Sequence, residues 1–121
     1  MAEHNELGKQ GEELAVAFLK KLGYKILEVN WRSEKYEIDI IARDRGTLVI
    51  VEVKSRRNNV FTEPEASVTR QKQKTLIAAA NSYIFRNRIN DETRFDIIAI
   101  ILNEEGHRIT HLIDAFYPTL R

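Results

Sequence analysis

The sequence contains no cysteine in its 121 residues. Disulfide bridges and thiolate metal sites are therefore excluded, and a reducing compartment such as the cytoplasm is the expected location. Glycine and proline are scarce, with 5 and 2 residues, so long linkers are not expected. The longest apolar run, residues 97–102, is too short to cross a membrane, and the polar N-terminus is unlike a signal peptide. The prediction is one domain over residues 1–121.

The chain also has little net charge, +1 at neutral pH, so its overall charge does not indicate a nucleic-acid partner. The distribution of charge is uneven. Between Arg43 and Lys74 there are eight basic and four acidic residues, which gives +4 locally and leaves −3 for the rest. Charge alone favours an ordinary solvated surface as the interpretation of this pattern.

Hydrophobic periodicity predicts helices and strands in alternation. Apolar residues three and four apart predict a helix over residues 5–22, ended by Gly23, and a second helix over residues 68–88. Apolar and β-branched runs predict strands over residues 24–29, 37–43, 47–55, 94–102 and 108–113. Turns are predicted at 30–35, 44–46 and 103–106, and a loop at 56–66. This order predicts an α/β fold in which two main helices flank a central mixed sheet.

Two carboxylates interrupt strands that are otherwise apolar. Asp39 lies in the isoleucine-rich strand 37–43, and Glu52 lies in the valine-rich strand 47–55. Burying a carboxylate is costly unless a cation or hydrogen bonds compensate it. Two such carboxylates in neighbouring strands indicate that they act together at one site.

A tight turn after Asp44 would bring these carboxylates together. If the next two residues form a hairpin loop, Asp39 lies opposite Glu52 and Glu37 lies opposite Lys54. Side chains alternate along a strand, so all four would share one face. A three-residue loop or a bulge would shift this pairing.

A divalent cation would remove the repulsion between Asp39 and Glu52. Mg²⁺ prefers one or two carboxylates and keeps several waters. Lys54, two residues after Glu52, could then orient a water or stabilise developing phosphate charge. The alternative is a solvated face on which Glu37, Glu52 and Lys54 form cross-strand ion pairs. That face would also carry apolar side chains, namely Ile41, Leu48 and Ile50.

The residues around this pair also resemble a known family. Glu37-Ile-Asp39 followed by Val51-Glu52-Val53-Lys54 resembles the signature of the PD-(D/E)xK, restriction-endonuclease-like group. Further matching motifs are Gly8-Lys-Gln-Gly11-Glu12, Leu22-Gly23-Tyr24, Asn30-Trp31-Arg32, Lys72-Gln73 and Arg94-Phe95-Asp96. On these residues the chain is identified as a member of the YraN-like family of small bacterial proteins, which are predicted endonucleases similar to archaeal Holliday-junction resolvases.

The resemblance implies roles for individual residues. Asp39 and Glu52 would bind Mg²⁺, with Mn²⁺ able to substitute, and Lys54 would be the catalytic lysine. Glu12, on the flank of the first helix, would complete the metal site, and Glu37 would support it.

The implied function is a Mg²⁺-dependent endonuclease that hydrolyses phosphodiester bonds in double-stranded or branched DNA. Arg56 and Lys72 would contact DNA phosphates. No membrane partner is expected, and a homodimer would suit the cutting of both strands. Two alternatives stay open, a non-catalytic DNA-binding or scaffold protein that keeps the fold and a nuclease that acts on RNA.

One further acid interrupts an apolar strand. Asp96 either supports the carboxylate site indirectly or pairs in the neighbourhood of Arg94. His107 and His111 would share a strand face and are expected to pack there rather than bind a metal.

Overall fold

A computed structural model describes residues 2–57 and 67–118 of the chain, with side chains from Glu6 onward. Within these ranges the elements, in chain order, are α1 (Ala2–Lys21), β1 (Lys25–Arg32), β2 (Glu37–Asp44), β3 (Thr47–Arg57), α2 (Arg70–Asn87), β4 (Glu92–Asn103) and β5 (Gly106–Phe116). The strands form one sheet in the order β1-β2-β3-β4-β5. Neither helix is long and apolar enough to span a membrane in this part of the chain.

The sheet is mixed because β3 and β4 run parallel while all other neighbours run antiparallel. A parallel pair needs a long crossover connection, and α2 lies in it. Each helix has its own hydrophobic cluster, formed with side chains of the sheet. Leu48 and Ile50 of β3 pack in the α2 cluster, whereas Val49 and Val51 pack in the α1 cluster. The predicted α/β, restriction-endonuclease-like fold is confirmed.

Local sequence signals explain where α1 ends and where α2 begins. Gly23 has φ 94°, and the backbone N–H groups of Gly23 and Tyr24 bond to the carbonyls of Lys20 and Leu19. This left-handed C-cap satisfies carbonyls that have no partner within the helix, as the sequence predicts. At α2, the Thr69 side chain accepts a hydrogen bond from the Lys72 backbone N–H. The helix therefore begins at Arg70, slightly later than predicted.

The β2–β3 hairpin has the predicted two-residue loop. Asp44 pairs with Thr47, and the ladder continues to Ile40 opposite Val51. Arg45 takes the left-handed conformation that such a loop requires, with φ 60°.

Several strands extend beyond their apolar runs. β1 includes Trp31, which the sequence places in a turn, and β5 reaches Phe116. β3 continues to Arg57 because residues 55–57 pair with residues 100–102 of β4. Hydrogen bonding to a neighbour thus continues where the hydrophobic pattern stops. The rest of the predicted loop, residues 58–66, lies outside the described ranges.

Replacing Gly11 by alanine is expected to destabilise the fold, because α1 lies directly against β3 there. An added Cβ would lie 1.8 Å from Ser55 Oγ and 2.9 Å from Ser55 Cβ. Overpacking of this kind costs about 1–3 kcal/mol. Gly8→Ala is the matched control, since nothing lies within 4 Å of its added Cβ. Its better helix propensity should stabilise the fold by roughly 1 kcal/mol. Urea unfolding measures both, and equal midpoints would contradict the close approach.

Candidate metal centre where two strands separate

The β2–β3 ladder ends at Ile40 opposite Val51, so Asp39 and Glu52 are the first residues beyond it. At this point the Asp39 Oδ2 atom accepts a hydrogen bond from the backbone N–H of Val53, at 2.8 Å. The Asp39 side chain thus accepts a hydrogen bond from a β3 backbone N–H that would otherwise bond to the backbone of a neighbouring strand. The Asp39 carboxylate lies in the gap between the two strands, anchored to β3.

The alternation of β2 side chains between the two faces of the sheet is broken where the strands separate. Ile38 and Ile41 both pack in the α2 cluster, whereas Ile40 packs in the α1 cluster. Strict alternation would place Ile38 with Ile40. Asn30, at the same level of β1, has left-handed backbone with φ 56°. Asp39 therefore lies at an irregular step of the strand.

The prediction that Glu37 lies opposite Lys54 is wrong. Because the strands have separated, Glu37 pairs with Arg32 of β1 and Lys54 pairs with Ala99 of β4. The Glu37 carboxylate lies 3.4 Å from the Arg32 guanidinium, and both side chains are more than half exposed. An ion pair this exposed contributes little to stability.

The predicted direct pairing of Asp39 with Glu52 is not formed, because the β2–β3 ladder ends one residue earlier, but the two side chains remain near enough to affect each other's pKa. Burial raises the pKa of Asp39, while the Val53 N–H and Lys72 act in the opposite direction. Burial and repulsion by Asp39 raise the pKa of Glu52 to about 7, against the weaker effect of Lys72. Without a further cation, one carboxyl of the pair holds a proton near neutral pH.

Two lysines reach the pair from the α2 side. Lys54 Nζ donates to the backbone carbonyl of Ser67, just before α2. Lys72 Nζ lies 3.7 Å from Glu52 Oε2. Lys72, which is predicted to contact DNA phosphate because it is near the site, therefore pairs with Glu52 in this structure. Arg56, given the same role, is exposed two residues beyond Lys54 on β3.

Glu12 approaches the site from α1. Its Oε1 accepts a hydrogen bond from Asn30 Nδ2 at 2.8 Å. Burial and the nearby Asp39 carboxylate raise the pKa of Glu12. Across residues 2–57 and 67–118, however, no three His, Asp or Glu side chains are grouped to hold one metal ion. Glu12 is thus an electrostatic neighbour of the pair, and its predicted role as a metal ligand stays a prediction.

The two remaining carboxylates suit a hard cation. Mg²⁺ is commonly held by one or two carboxylates together with waters. A divalent charge beside Asp39 and Glu52 would stabilise both as anions, which offsets the burial that raises both pKa values and the repulsion by Asp39 that also raises the pKa of Glu52. The donor set therefore fits Mg²⁺ or Mn²⁺, and it lacks the nitrogen and sulfur donors that favour zinc.

Asp96 shows what a fully compensated buried acid looks like. Both of its oxygens accept hydrogen bonds from the Arg94 guanidinium, at 2.9 and 3.0 Å. His111 Nε2 lies 2.8 Å from Oδ2, and the Asp114 N–H donates to Oδ1 at 3.0 Å. Burial raises the pKa of Asp96, but these hydrogen bonds outweigh it and leave the pKa below its ordinary value.

Of the two alternatives for Asp96, the pairing with Arg94 is therefore the one observed. The sequence did not identify His111 as its second partner, because His111 is 15 residues away on β5. His111 also packs edge-on against Phe18 and Tyr24, as the packing prediction requires, whereas His107 is exposed.

In the absence of divalent cations, Glu52→Gln is expected to stabilise the protein at about pH 8. The folded-state pKa of Glu52 lies above its unfolded value, so its contribution to stability is complete below about pH 4.5 and is lost as pH rises through about 7. The amide cannot ionise, and the gain is on the order of 3 kcal/mol. Thermal unfolding near pH 5 and pH 8 measures it. Glu13→Gln, on the exposed side of α1, should change little at either pH. A Glu52→Gln protein less stable than wild type at pH 8 would contradict the repulsion.

Curated proteins similar to this chain match it along nearly its whole length. A UPF0102 protein of Flavobacterium psychrophilum is 50% identical over 117 residues, covering 97% of this chain and 98% of that protein. One from Bacteroides thetaiotaomicron is 48% identical over 120 residues, 99% of both chains. One from Parabacteroides distasonis is 41% identical over the full length of both. The model of the uncharacterised protein family UPF0102 matches residues 11–100, which include Glu12, Asp39, Glu52 and Lys54. The chain therefore belongs to UPF0102, the YraN-like family that its motifs predict.

Proposed function

We propose that this protein is a Mg²⁺-dependent endonuclease that hydrolyses phosphodiester bonds in DNA. The observation that carries the proposal is the pair of partly buried carboxylates, Asp39 and Glu52, at the point where β2 and β3 separate. Their pKa values are raised, so both carboxylates would be stabilised as anions by additional positive charge nearby.

Asp39 and Glu52 would hold the metal ion. The hydrogen bond from the Val53 N–H fixes one Asp39 oxygen on β3, which leaves the other oxygen for a cation. When bound, Mg²⁺ would polarise a phosphoryl oxygen and lower the pKa of a coordinated water. Glu12, already held by Asn30, would add negative charge on the α1 side.

Lys54 would stabilise the phosphate as negative charge develops on it. An ammonium group has three N–H donors, and one of them is directed at the Ser67 carbonyl. That bond restrains the long side chain and leaves two donors for phosphate oxygens. Donors oriented in advance contribute more to catalysis than donors that must reorganise.

Lys72 would change partner during the reaction. Its ammonium now provides part of the positive charge beside Glu52. A metal ion bound there would replace this contribution and free Lys72 to contact a DNA phosphate.

Arg56, exposed at the end of β3, would contact the DNA backbone on the same side as Lys54. Branched DNA as the substrate and a homodimer that cuts two strands are parts of the same proposal.

One observation favours a second candidate, a DNA-binding or scaffold protein without catalysis. Among the described side chains no three metal-ligating groups converge, and the ammonium of Lys72 lies beside Glu52. A protein of this kind would bind DNA in a salt-dependent way without turnover and would not take up Mn²⁺ at Asp39 and Glu52. An RNA nuclease is a third candidate, which substrate comparison separates.

Purified wild-type protein is expected to cut at least one of linear, flapped or four-way DNA when Mg²⁺ or Mn²⁺ is present, and EDTA should stop the reaction. Asp39→Asn and Glu52→Gln remove metal ligands, and Lys54→Ala removes a donor to the phosphate. Each should lower the cleavage rate by about 100-fold or more. Gel assays with end-labelled DNA and matched RNA measure the rates.

Glu13→Gln provides the control, because it makes the same chemical change at an exposed position of α1. Titration calorimetry with Mn²⁺ gives an independent readout, in which Asp39→Asn should lose the binding seen in wild type. If wild type and Asp39→Asn act identically on every substrate, the protein is not the proposed enzyme. DNA binding without Mn²⁺ uptake would then support the scaffold.

A further inference from the structure

A groove between α2 and the end of β5 adjoins the carboxylate site. It has a volume of about 580 Å³ and is lined by one side of α2 and by residues 114–118. A smaller cavity of about 360 Å³ shares Gln73, Ala115 and Phe116 with it. The two cavities are therefore neighbours, and each is of a size typical of ligand sites.

The smaller cavity lies beside Lys54 of the proposed active site. Ser67 lines the smaller cavity, and its carbonyl is the acceptor for Lys54 Nζ. Gln73, which lines both cavities, follows Lys72 in α2, and Lys72 pairs with Glu52. A strand lying in the groove would therefore pass close to Lys54 and Lys72.

The lining combines positive charge with exposed aromatic surface. Arg70 and Lys74 lie one turn apart on α2, both are exposed, and neither forms an ion pair within residues 2–57 and 67–118. Asp114 is an acid in the lining, which leaves one net positive charge. Tyr117 also lines the groove, with 66% of its surface exposed. Apolar side chains, among them Ile77, Ala115 and Phe116, form most of the remaining lining, together with the amides of Gln73 and Asn81.

This combination fits an unpaired strand better than a duplex. In a duplex the base faces are stacked inside, and only phosphates and groove edges would meet the protein. Unpaired bases expose flat apolar faces that stack on aromatic side chains, while lysine and arginine contact the phosphates. Of these two forms of DNA, the unpaired strand is the one that offers base faces to the apolar lining and to Tyr117.

We propose that this groove binds a single-stranded DNA segment next to the phosphodiester that is cut. The inference rests on the proposed nuclease function and narrows its substrate to DNA with an unpaired arm, such as a flap. Tyr117 stacks on a base of that arm, and Arg70 and Lys74 contact its phosphates.

The first test measures binding without cleavage. Fluorescence anisotropy in EDTA compares labelled oligothymidylate with a duplex of equal length. Tyr117→Ala is expected to weaken oligothymidylate binding by about 10-fold and duplex binding much less. Tyr117→Phe keeps the ring and should bind as wild type does. Phe85→Ala is the matched control, because Phe85 is 85% exposed and does not line this groove. Equal loss in Tyr117→Ala and Phe85→Ala, or no loss in either, would overturn the inference.

The two cations provide a second measurement. Arg70→Gln combined with Lys74→Gln should lower the salt dependence of oligothymidylate binding by roughly two phosphate contacts. An unchanged salt slope would count against the groove. If light scattering shows instead that Tyr117→Ala breaks a dimer while oligothymidylate binding is unaffected, the surface joins two copies of the chain and the inference fails.

Cleavage separates this inference from the proposed function. With wild-type activity present, Tyr117→Ala should slow the cutting of flapped DNA by about 10-fold and leave linear duplex cutting nearly unchanged. If wild type cuts no substrate but Tyr117→Ala still loses oligothymidylate binding, the nuclease proposal fails and the groove stands. If wild type cuts DNA but Tyr117→Ala matches it in every assay, the groove fails and the nuclease stands.

Discussion

The candidate site depends on the separation of β2 from β3 beyond Ile40 and Val51. At that point the Asp39 carboxylate bonds to the Val53 N–H. This bond satisfies a buried donor and fixes a charged side chain in a gap between strands. Regular pairing would have left no room there. The irregular backbone at Asn30 and the broken alternation of side chains beside Asp39 belong to the same local departure from a regular sheet.

Three acids of the sheet, the buried Asp96 and the partly buried Asp39 and Glu52, differ in how far hydrogen bonds and cations compensate their charge. Asp96 receives hydrogen bonds from Arg94 and a backbone N–H and lies beside His111, so it is stable as an anion within the folded chain. Asp39 and Glu52 share far less compensation, chiefly one N–H and a lysine at 3.7 Å. The first arrangement stabilises the protein, whereas the second reduces its stability. Local destabilisation of this kind is characteristic of functional sites, where a ligand later supplies the missing interaction.

The sequence predicted the fold class, the hairpin and the carboxylate pair, because each rests on local signals. Alternation, a two-residue turn and charges within apolar strands can be read over a few residues. It did not predict where Glu37 and Lys54 would pair, since that depends on β1 and β4 drawing the two strands apart. The partner of Lys54, the Ser67 carbonyl, and the groove beside α2 likewise depend on elements distant in sequence. Such contacts are determined by tertiary packing, so they cannot be predicted from a local sequence pattern.

The parallel pairing of β3 with β4 has a consequence for folding. Glu52 and its partner Ile97 are far apart in sequence, and they can pair only when the connection that contains α2 has packed against the sheet. Pairings of this kind form late, because the chain entropy of closing a long loop must be overcome first. The isolated hairpin could continue its regular ladder, and the gap would not exist. A nascent chain that ends before β4 should therefore lack the site, so that any activity would begin only with a completed fold.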